Sequence, residues 1–210
     1  MGGVFSRSET RNLMKIKLIL STFIIILSGC TSQSITISSS VPIPLVLSNN
    51  DLKVISYFSD NVNDYLFTSE VLEKTDNSWE INFQDTQKNI FIIILNSFFD
   101  NNDISDSFEN ISDNSADLIM GFNLESFEFL TPQIASNDKY SVWIKYKINI
   151  YDQKKDLIQN WSITGYGEQL TGSFEGNDAI LNAINIALRD VGANLTIKLE
   201  NDMPELLTLM

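Results

Sequence analysis

Tyr140-Ser141-Val142-Trp143-Ile144-Lys145-Tyr146-Lys147-Ile148-Asn149-Ile150-Tyr151 is the stretch that decides the fold. Val142, Ile144, Tyr146, Ile148 and Ile150 fall on every second position, while Ser141, Lys145, Lys147 and Asn149 alternate with them in the company of Trp143. A period of two in β-branched and aromatic residues is a strand with one buried face and one wet face. The segments on either side repeat the pattern. Residues 116–130 place Leu118, Met120, Phe122 and Leu124 on one face, Ile119 and Gly121 on the other, and continue through Ser126, Phe127 and Phe129. Residues 131–139, with Pro132, Asn137 and Asp138, read as a long hairpin connection, and residues 152–156 as a turn. Residues 157–167, with Trp161 and Ile163, supply a third strand, so the three make an antiparallel meander.

Helical spacing surrounds this meander. Ile180, Ala183, Ile184, Ala187, Leu188, Val191 and Leu195 recur at three- and four-residue steps, the stripe of a helix laid on a sheet. Gly192 lies inside that helix, where close contact with the sheet would account for it. Residues 86–99 carry Ile90, Phe91, Ile94, Leu95, Phe98 and Phe99 in a second stripe, with Asp85 placed to cap it through its carboxylate. The run Ile92-Ile93-Ile94 would also suit a buried strand. Residues 51–58 alternate as a strand, residues 65–67 and 79–83 are shorter candidates, and the polar residues 100–115 read as a loop. The tail from Asn201, containing Pro204, is expected to be irregular. The fold class is therefore α+β, a mostly antiparallel sheet with two helices packed on one face.

Composition narrows the chemistry. The 210 residues contain no histidine and one cysteine, Cys30. Ser-His-Asp and Cys-His catalysis are excluded, as are zinc and transition-metal sites built on imidazole or thiolate. Carboxylates, Lys, Tyr and Ser remain, and the expectation is a protein that is not an enzyme and takes no cofactor. With a hydrophobic fraction of 43% the chain can fill a core without disulfides. The net charge of -13 opposes nucleic-acid binding, which needs clustered Lys or Arg. It suits solubility at a membrane surface and association with basic patches on a partner.

The amino-terminal region reads as an address. Lys15 and Lys17 precede the apolar run 18–27, and the small residue Gly29 stands before Cys30, the order of a secretory signal. The run is too short for a bilayer span, which takes roughly 17–25 residues. A transmembrane anchor and an ordinary secreted protein with a chance cysteine are the alternatives. Leu27-Ser28-Gly29-Cys30 resembles the lipobox of a bacterial lipoprotein. That resemblance implies cleavage between Gly29 and Cys30, a diacylglyceryl thioether on Cys30, and acylation of the new amino terminus. Family sorting rules treat aspartate after the cysteine as an inner-membrane signal. Thr31 stands there, which implies the periplasmic face of the outer membrane. Two or more acyl chains, at about 0.8 kcal/mol per buried CH₂, make such an anchor effectively permanent.

The organisation expected is a signal over 1–29, with 1–13 a possible upstream extension because Met14 could begin a signal of ordinary length. The lipidated Cys30 and a Ser/Thr-rich tether follow over 30–50, with 45–47 a possible edge strand. A single periplasmic domain covers 51–200 and a tail 201–210. Cleavage removes four basic residues and Glu9, leaving 10 basic and 26 acidic residues and a charge of about -16.

Other constellations are weaker. Residues 100–106 invite a calcium reading, but the EF-hand spacing fails, with Ile104 at the fifth position from Asp100. Gly165-Tyr166-Gly167 could bring backbone close to a ligand, or mark a bulge or bend. Glu125 with Glu128, or Glu175 with Asp178, could be posed as acid/base pairs, with no sign of a pocket. Trp143 and Trp161, if both project outward near Lys145 and Lys147, suit a protein-binding face.

Residues 116–119, 142–151 and 161–167, followed by the helix over 179–195, resemble the YajG-like envelope lipoproteins, with auxiliary lipoproteins of ABC-type transport systems as a looser relative. The resemblance covers roughly the last hundred residues. It implies a periplasmic α+β domain that works through contacts, an accessory or structural component of an envelope complex. The alternatives are a transport auxiliary binding a lipid or other apolar ligand between helices and sheet, and an envelope enzyme using carboxylates.

Overall fold

The computed structural model describes residues 32–38, 50–68, 78–172 and 176–209. In chain order they form β1 (Ser32–Thr36), β2 (Asn50–Phe58), the single helical turn α1 (Asp60–Asn63), β3 (Leu66–Thr68) and β4 (Ser78–Asn82). Helix α2 (Thr86–Phe98), β5 (Phe99–Ser105), β6 (Leu118–Leu130), the turn α3 (Pro132–Ala135), β7 (Lys139–Tyr151), β8 (Leu157–Leu170) and helix α4 (Asn177–Leu209) follow. The fold is α+β, as the sequence leads one to expect.

The meander is the spine. β6 pairs antiparallel with β7 from Ile119 opposite Tyr151 to Leu130 opposite Ser141, and β7 pairs antiparallel with β8 from Lys139 opposite Leu170 to Tyr151 opposite Leu157. The five residues Val142, Ile144, Tyr146, Ile148 and Ile150 are buried, so the phase read from the sequence is the phase of the fold. β2 adds parallel to β6, and β5 adds parallel to β2, giving the order β5-β2-β6-β7-β8. The longest ladders are antiparallel and the β5-β2-β6 side is parallel.

β5 corrects the expectation of a loop across residues 100–115. Its residues Asp100, Asn101, Asp103 and Ile104 are exposed, because it is an edge strand with little apolar surface to cover, and such strands carry no alternation to read. The Ser56 hydroxyl donates to the Asn102 side-chain oxygen at 2.8 Å across the β2–β5 pair. The calcium reading loses its geometry as well, because strand alternation sends Asn102 and its neighbours Asn101 and Asp103 to opposite faces.

A second sheet, in the order β1-β4-β3, caps one end of the inner face. Part of the expected tether is therefore structured: β1 pairs parallel with β4, and Ile35 and Ile37 are 5% and 1% exposed. Alternate isoleucines in a Ser/Thr-rich stretch find a core to enter. Aromatic contacts join the sheets. Phe127 lies 5.0 Å from Phe67 and 5.1 Å from Phe83, and Phe129 lies 5.6 Å from Phe67 and 6.2 Å from Trp79, ring centroid to ring centroid.

Both long helices lie on the inner face. α2 buries Ile90, Phe91, Ile94, Leu95 and Phe98, and Phe91 stacks on Phe122 at 4.6 Å and meets Tyr146 edge-on at 4.9 Å. Asp85 does not cap this helix with its carboxylate; instead the Thr86 hydroxyl donates to the Ile37 carbonyl at 2.9 Å, tying α2 to the chain after β1. In the core the Tyr146 hydroxyl donates to Gln87 Oε1 at 2.5 Å, while Gln87 Nε2 is buried without a partner. Burial pushes the Tyr146 hydroxyl pKa well above its usual value, with the nearby Tyr65 adding to it.

α4 runs against β8 and β7 and is longer than its apolar stripe over 180–195 implied. Leu199, Met203 and Leu206 continue that stripe, so the tail expected to be irregular is helical through Pro204 to Leu209. The glycine that permits close contact is on the sheet. A Cβ on Gly165 would fall 2.8 Å from Val191 N and collide with the Ala187 carbonyl, and one on Gly167 would fall 2.6 Å from Ala187 N and collide with the Ala183 carbonyl. Gly165 and Gly167 let helix backbone rest on strand backbone, and they serve neither as a ligand cradle nor as a bend.

Candidate functional site

The outer face of the five-stranded sheet carries no helix among the described residues. It divides in two. At the β2/β6 side, residues 106–117 fold back over it. Ile111 and Ala116 bury against Ile55 and Ile119, and Phe108 lies 5.4 Å from Tyr57 and 4.6 Å from Tyr151. The Lys155 ammonium sits 4.8 Å above the Phe108 ring. Backbone bonds clasp the segment, from Asn114 N–H to Gln153 O at 2.7 Å and from Asp117 N–H to Lys53 O at 2.8 Å. The Tyr57 hydroxyl, 3.4 Å from that of Tyr151, is held far above its usual pKa, first by burial and then by Tyr151 and Glu109.

The other half of the face is open and built by β6, β7 and β8. Trp143 is half-buried and its ring lies 5.1 Å from that of Tyr166, directly across the β7–β8 pair. The Tyr166 hydroxyl donates to Glu168 at 2.6 Å, and Lys139 pairs with the other Glu168 oxygen at 2.5 Å. Lys139 and Tyr166, both bonded to it, pull the Glu168 carboxyl pKa below the usual range, and Glu168 raises that of Lys139. Lys145 pairs with Glu125 at 2.8 Å, and Glu128 stands opposite Trp143 in register. An aromatic pair framed by ion pairs is thus presented on rigid strands.

Trp161 is not part of it. It is 2% exposed on the inner face beneath α4, with the Lys198 ammonium 5.7 Å above its ring, so the expected shared face of Trp143 and Trp161 is corrected. The reason is register: Trp161 pairs with the inward Ile148. Ser162, Thr164, Tyr166 and Glu168 are the outward residues of β8, and this polar alternation would have identified Tyr166 as the true neighbour of Trp143. Gly29 and Cys30 lie outside the described residues, as does Glu175.

β8 is also the sheet's edge. The Tyr166 N–H donates to the Asp190 carboxylate at 2.9 Å, and the Asn194 amide donates to the Thr164 carbonyl at 2.9 Å, so α4 side chains occupy the edge groups that would pair with another strand. Beyond them an open groove of about 360 Å³ is lined by Ser162, Thr164, Asn194, Ile197, Lys198 and Asp202, with Lys198 and Asp202 paired at 2.6 Å. Among the described residues no three of His, Cys, Asp and Glu converge as a metal site would need.

No family model matches this chain, and no curated protein sequence does. Solved structures do. A DUF330-family protein from Xanthomonas campestris superposes with a TM-score of 0.51 at 9% identity, covering 81% of this chain and 99% of its own. A minor lipoprotein from Acinetobacter baumannii superposes with a TM-score of 0.43 at 10% identity, covering 74% of this chain and 96% of its own. The Xanthomonas likeness is one of fold; the Acinetobacter likeness is too distant to add to it.

Proposed function

We propose that this chain is a lipid-anchored component of the bacterial envelope, fixed to the periplasmic face of the outer membrane through Cys30 and acting by contact with an envelope protein. The observation that carries the reading is the open half of the sheet, where Trp143 and Tyr166 stand between the Lys139–Glu168 and Lys145–Glu125 pairs. Aromatic anchors with a charged rim are the anatomy of a protein interface. The absence of histidine supports a role without catalysis. So does the direction in which the fold moves Glu109 and Glu168, downward and away from a general acid at neutral pH. The reading of an apolar ligand between helix and sheet gains nothing at the α4–β8 contact, which closes to backbone distance at Gly165 and Gly167.

Two measurements test this. The intact mass of the mature amino-terminal peptide from membrane fractions, wild type beside Cys30→Ser, should show a triacylated peptide beginning at Cys30 that the variant lacks. A photo-crosslinking residue at position 143 should then give discrete adducts with an envelope protein, and Trp143→Ala should weaken co-purification of that partner without lowering thermal stability. An unmodified, uncleaved chain would overturn the anchor; absence of adducts at 143 would overturn the contact surface.

A further inference from the structure

We propose that the domain stands on the bilayer by one defined end, with the α3 connection toward the phospholipid head groups and the acidic residues 106–117 and 152–156 held away from them. This rests on the lipidated Cys30 of the preceding section and adds an orientation to it.

The first ground is the length of the leash. β1 begins at Ser32, so two residue steps separate it from Cys30, at most about 7 Å of extended chain. β1 is no loose strand. It is paired along its length with β4, Ile35 and Ile37 are in the core, the Ile37 N–H donates to Asn82 O at 2.8 Å, and the Ile37 carbonyl accepts from Thr86. An anchor so close to a fixed strand leaves the domain few ways to face.

The second ground says which end that is. Ser32 is level with Ser78 at the start of β4, and Thr68 closes the same end of the small sheet, since Thr68 pairs with Glu80. Going from Phe83 to Trp79, the aromatic contacts move from Phe127 to Phe129. The anchored end therefore coincides with the end of β6, followed at once by α3, and with the start of β7 and the end of β8, where Thr171 N–H donates to Asp138 O. The opposite end holds the start of β6, the turn 152–156 and the clasped segment 106–117.

Charge agrees with this placement. Glu109, Asp113, Asp117, Asp152 and Asp156 gather at the far end, against Lys154 and Lys155. β6 has 13 residues, which at about 3.3 Å each separate the two ends by about 40 Å. That is several Debye lengths, each about 8 Å at physiological ionic strength, so the acidic end escapes repulsion by anionic head groups. The occupant of the α3 end is a phospholipid surface.

Since Cys30 is the only cysteine and is consumed by the thioether, an introduced cysteine is a unique thiol. Acylated Gln133→Cys and Lys154→Cys proteins, both altered at exposed positions, would be labelled with a small fluorophore. They would be reconstituted into phosphatidylcholine vesicles carrying a head-group nitroxide lipid. Flotation with the vesicles reports the anchor; quenching reports the orientation. The expected result is several-fold stronger quenching at 133 than at 154. A Gly/Ser insertion of about 20 residues between Cys30 and Ser32, whose mean span is about 25 Å, should erase the difference. Equal or reversed quenching in proteins that float overturns the orientation while leaving the anchor intact. A difference that survives the insertion overturns the leash as its cause. Failure to float removes the anchor and the orientation together.

Discussion

Gly167→Ala tests the contact on which the architecture depends. Two effects of opposite sign compete at this position. A glycine replaced by alanine where the backbone allows it stabilises a protein by about 0.4–1 kcal/mol, because the unfolded chain loses freedom. Here the new methyl would meet the Ala183 carbonyl and stand 2.6 Å from Ala187 N, where ordinary contact begins at 3.4 Å. The obstructing atoms are helix backbone, so no rotamer change relieves them, and α4 must retreat by about 1 Å along several turns. Overpacking of this kind costs about 1–3 kcal/mol, and a backbone obstacle places Gly167→Ala at the upper end. For a domain of this size that is a fall in Tm of about 6–12 °C. Urea unfolding should show a lower midpoint with an unchanged slope. The sister variant separates mechanism from generic damage. At Gly165 one obstacle is the Val191 side chain, so Val191→Ala should recover part of the loss in Gly165→Ala and none in Gly167→Ala. A Gly167→Ala protein as stable as wild type, or more so, would refute the close contact of α4 with β8.

Three further outcomes follow from the same coordinates. Tyr146→Phe leaves a buried Gln87 oxygen unpaired and should cost about 1–3 kcal/mol in chemical denaturation, while Tyr146→Phe/Gln87→Leu, which removes both partners, should be closer to wild type than Tyr146→Phe alone. Glu168 should titrate below the usual glutamate range by NMR and return toward it in Lys139→Met; since its folded pKa is depressed, the stability it contributes is present above the unfolded pKa and is lost as pH falls through the folded one. Asp190→Ala/Asn194→Ala frees the Tyr166 N–H and the Thr164 carbonyl on the β8 edge and should raise the dimer or aggregate fraction in sedimentation, with unchanged sedimentation counting against edge protection.

The parts of the fold that bury a whole face were legible in the sequence, since burial imposes a period. β7 shows it most clearly, and α4 shows the helical equivalent from Ile180 to Leu195. β5 was hidden because an edge strand needs backbone partners but little apolar surface, so Asp100-Asn101-Asn102-Asp103 reads as a loop. β1 was hidden by its composition, only Ile35 and the following Ile37 betraying it. Pro204 masked a stripe that continues through Met203 and Leu206, a case where packing outweighs local propensity. The candidate site was half legible. The outward position of Trp143 follows from its own strand, but that of Trp161 needed the polar alternation of Ser162, Thr164 and Tyr166, which two prominent tryptophans obscured.

The parallel placement of β2 between β5 and β6 governs the order in which the chain can assemble. The stretch from β6 to α4 is a succession of neighbours joined by short connections, low in contact order and quick to form. β2 has no such neighbour. Its partner in β6 lies 64 residues downstream, Val54 with Leu118, and its partner in β5 stands 48 residues away, Lys53 with Asn101. A chain made amino end first therefore exposes a finished central strand, both edges unpaired, until nearly 70 further residues have emerged. During that interval Val54 and Phe58 have no core to enter, so the window for misassociation closes only when the second half of the chain arrives.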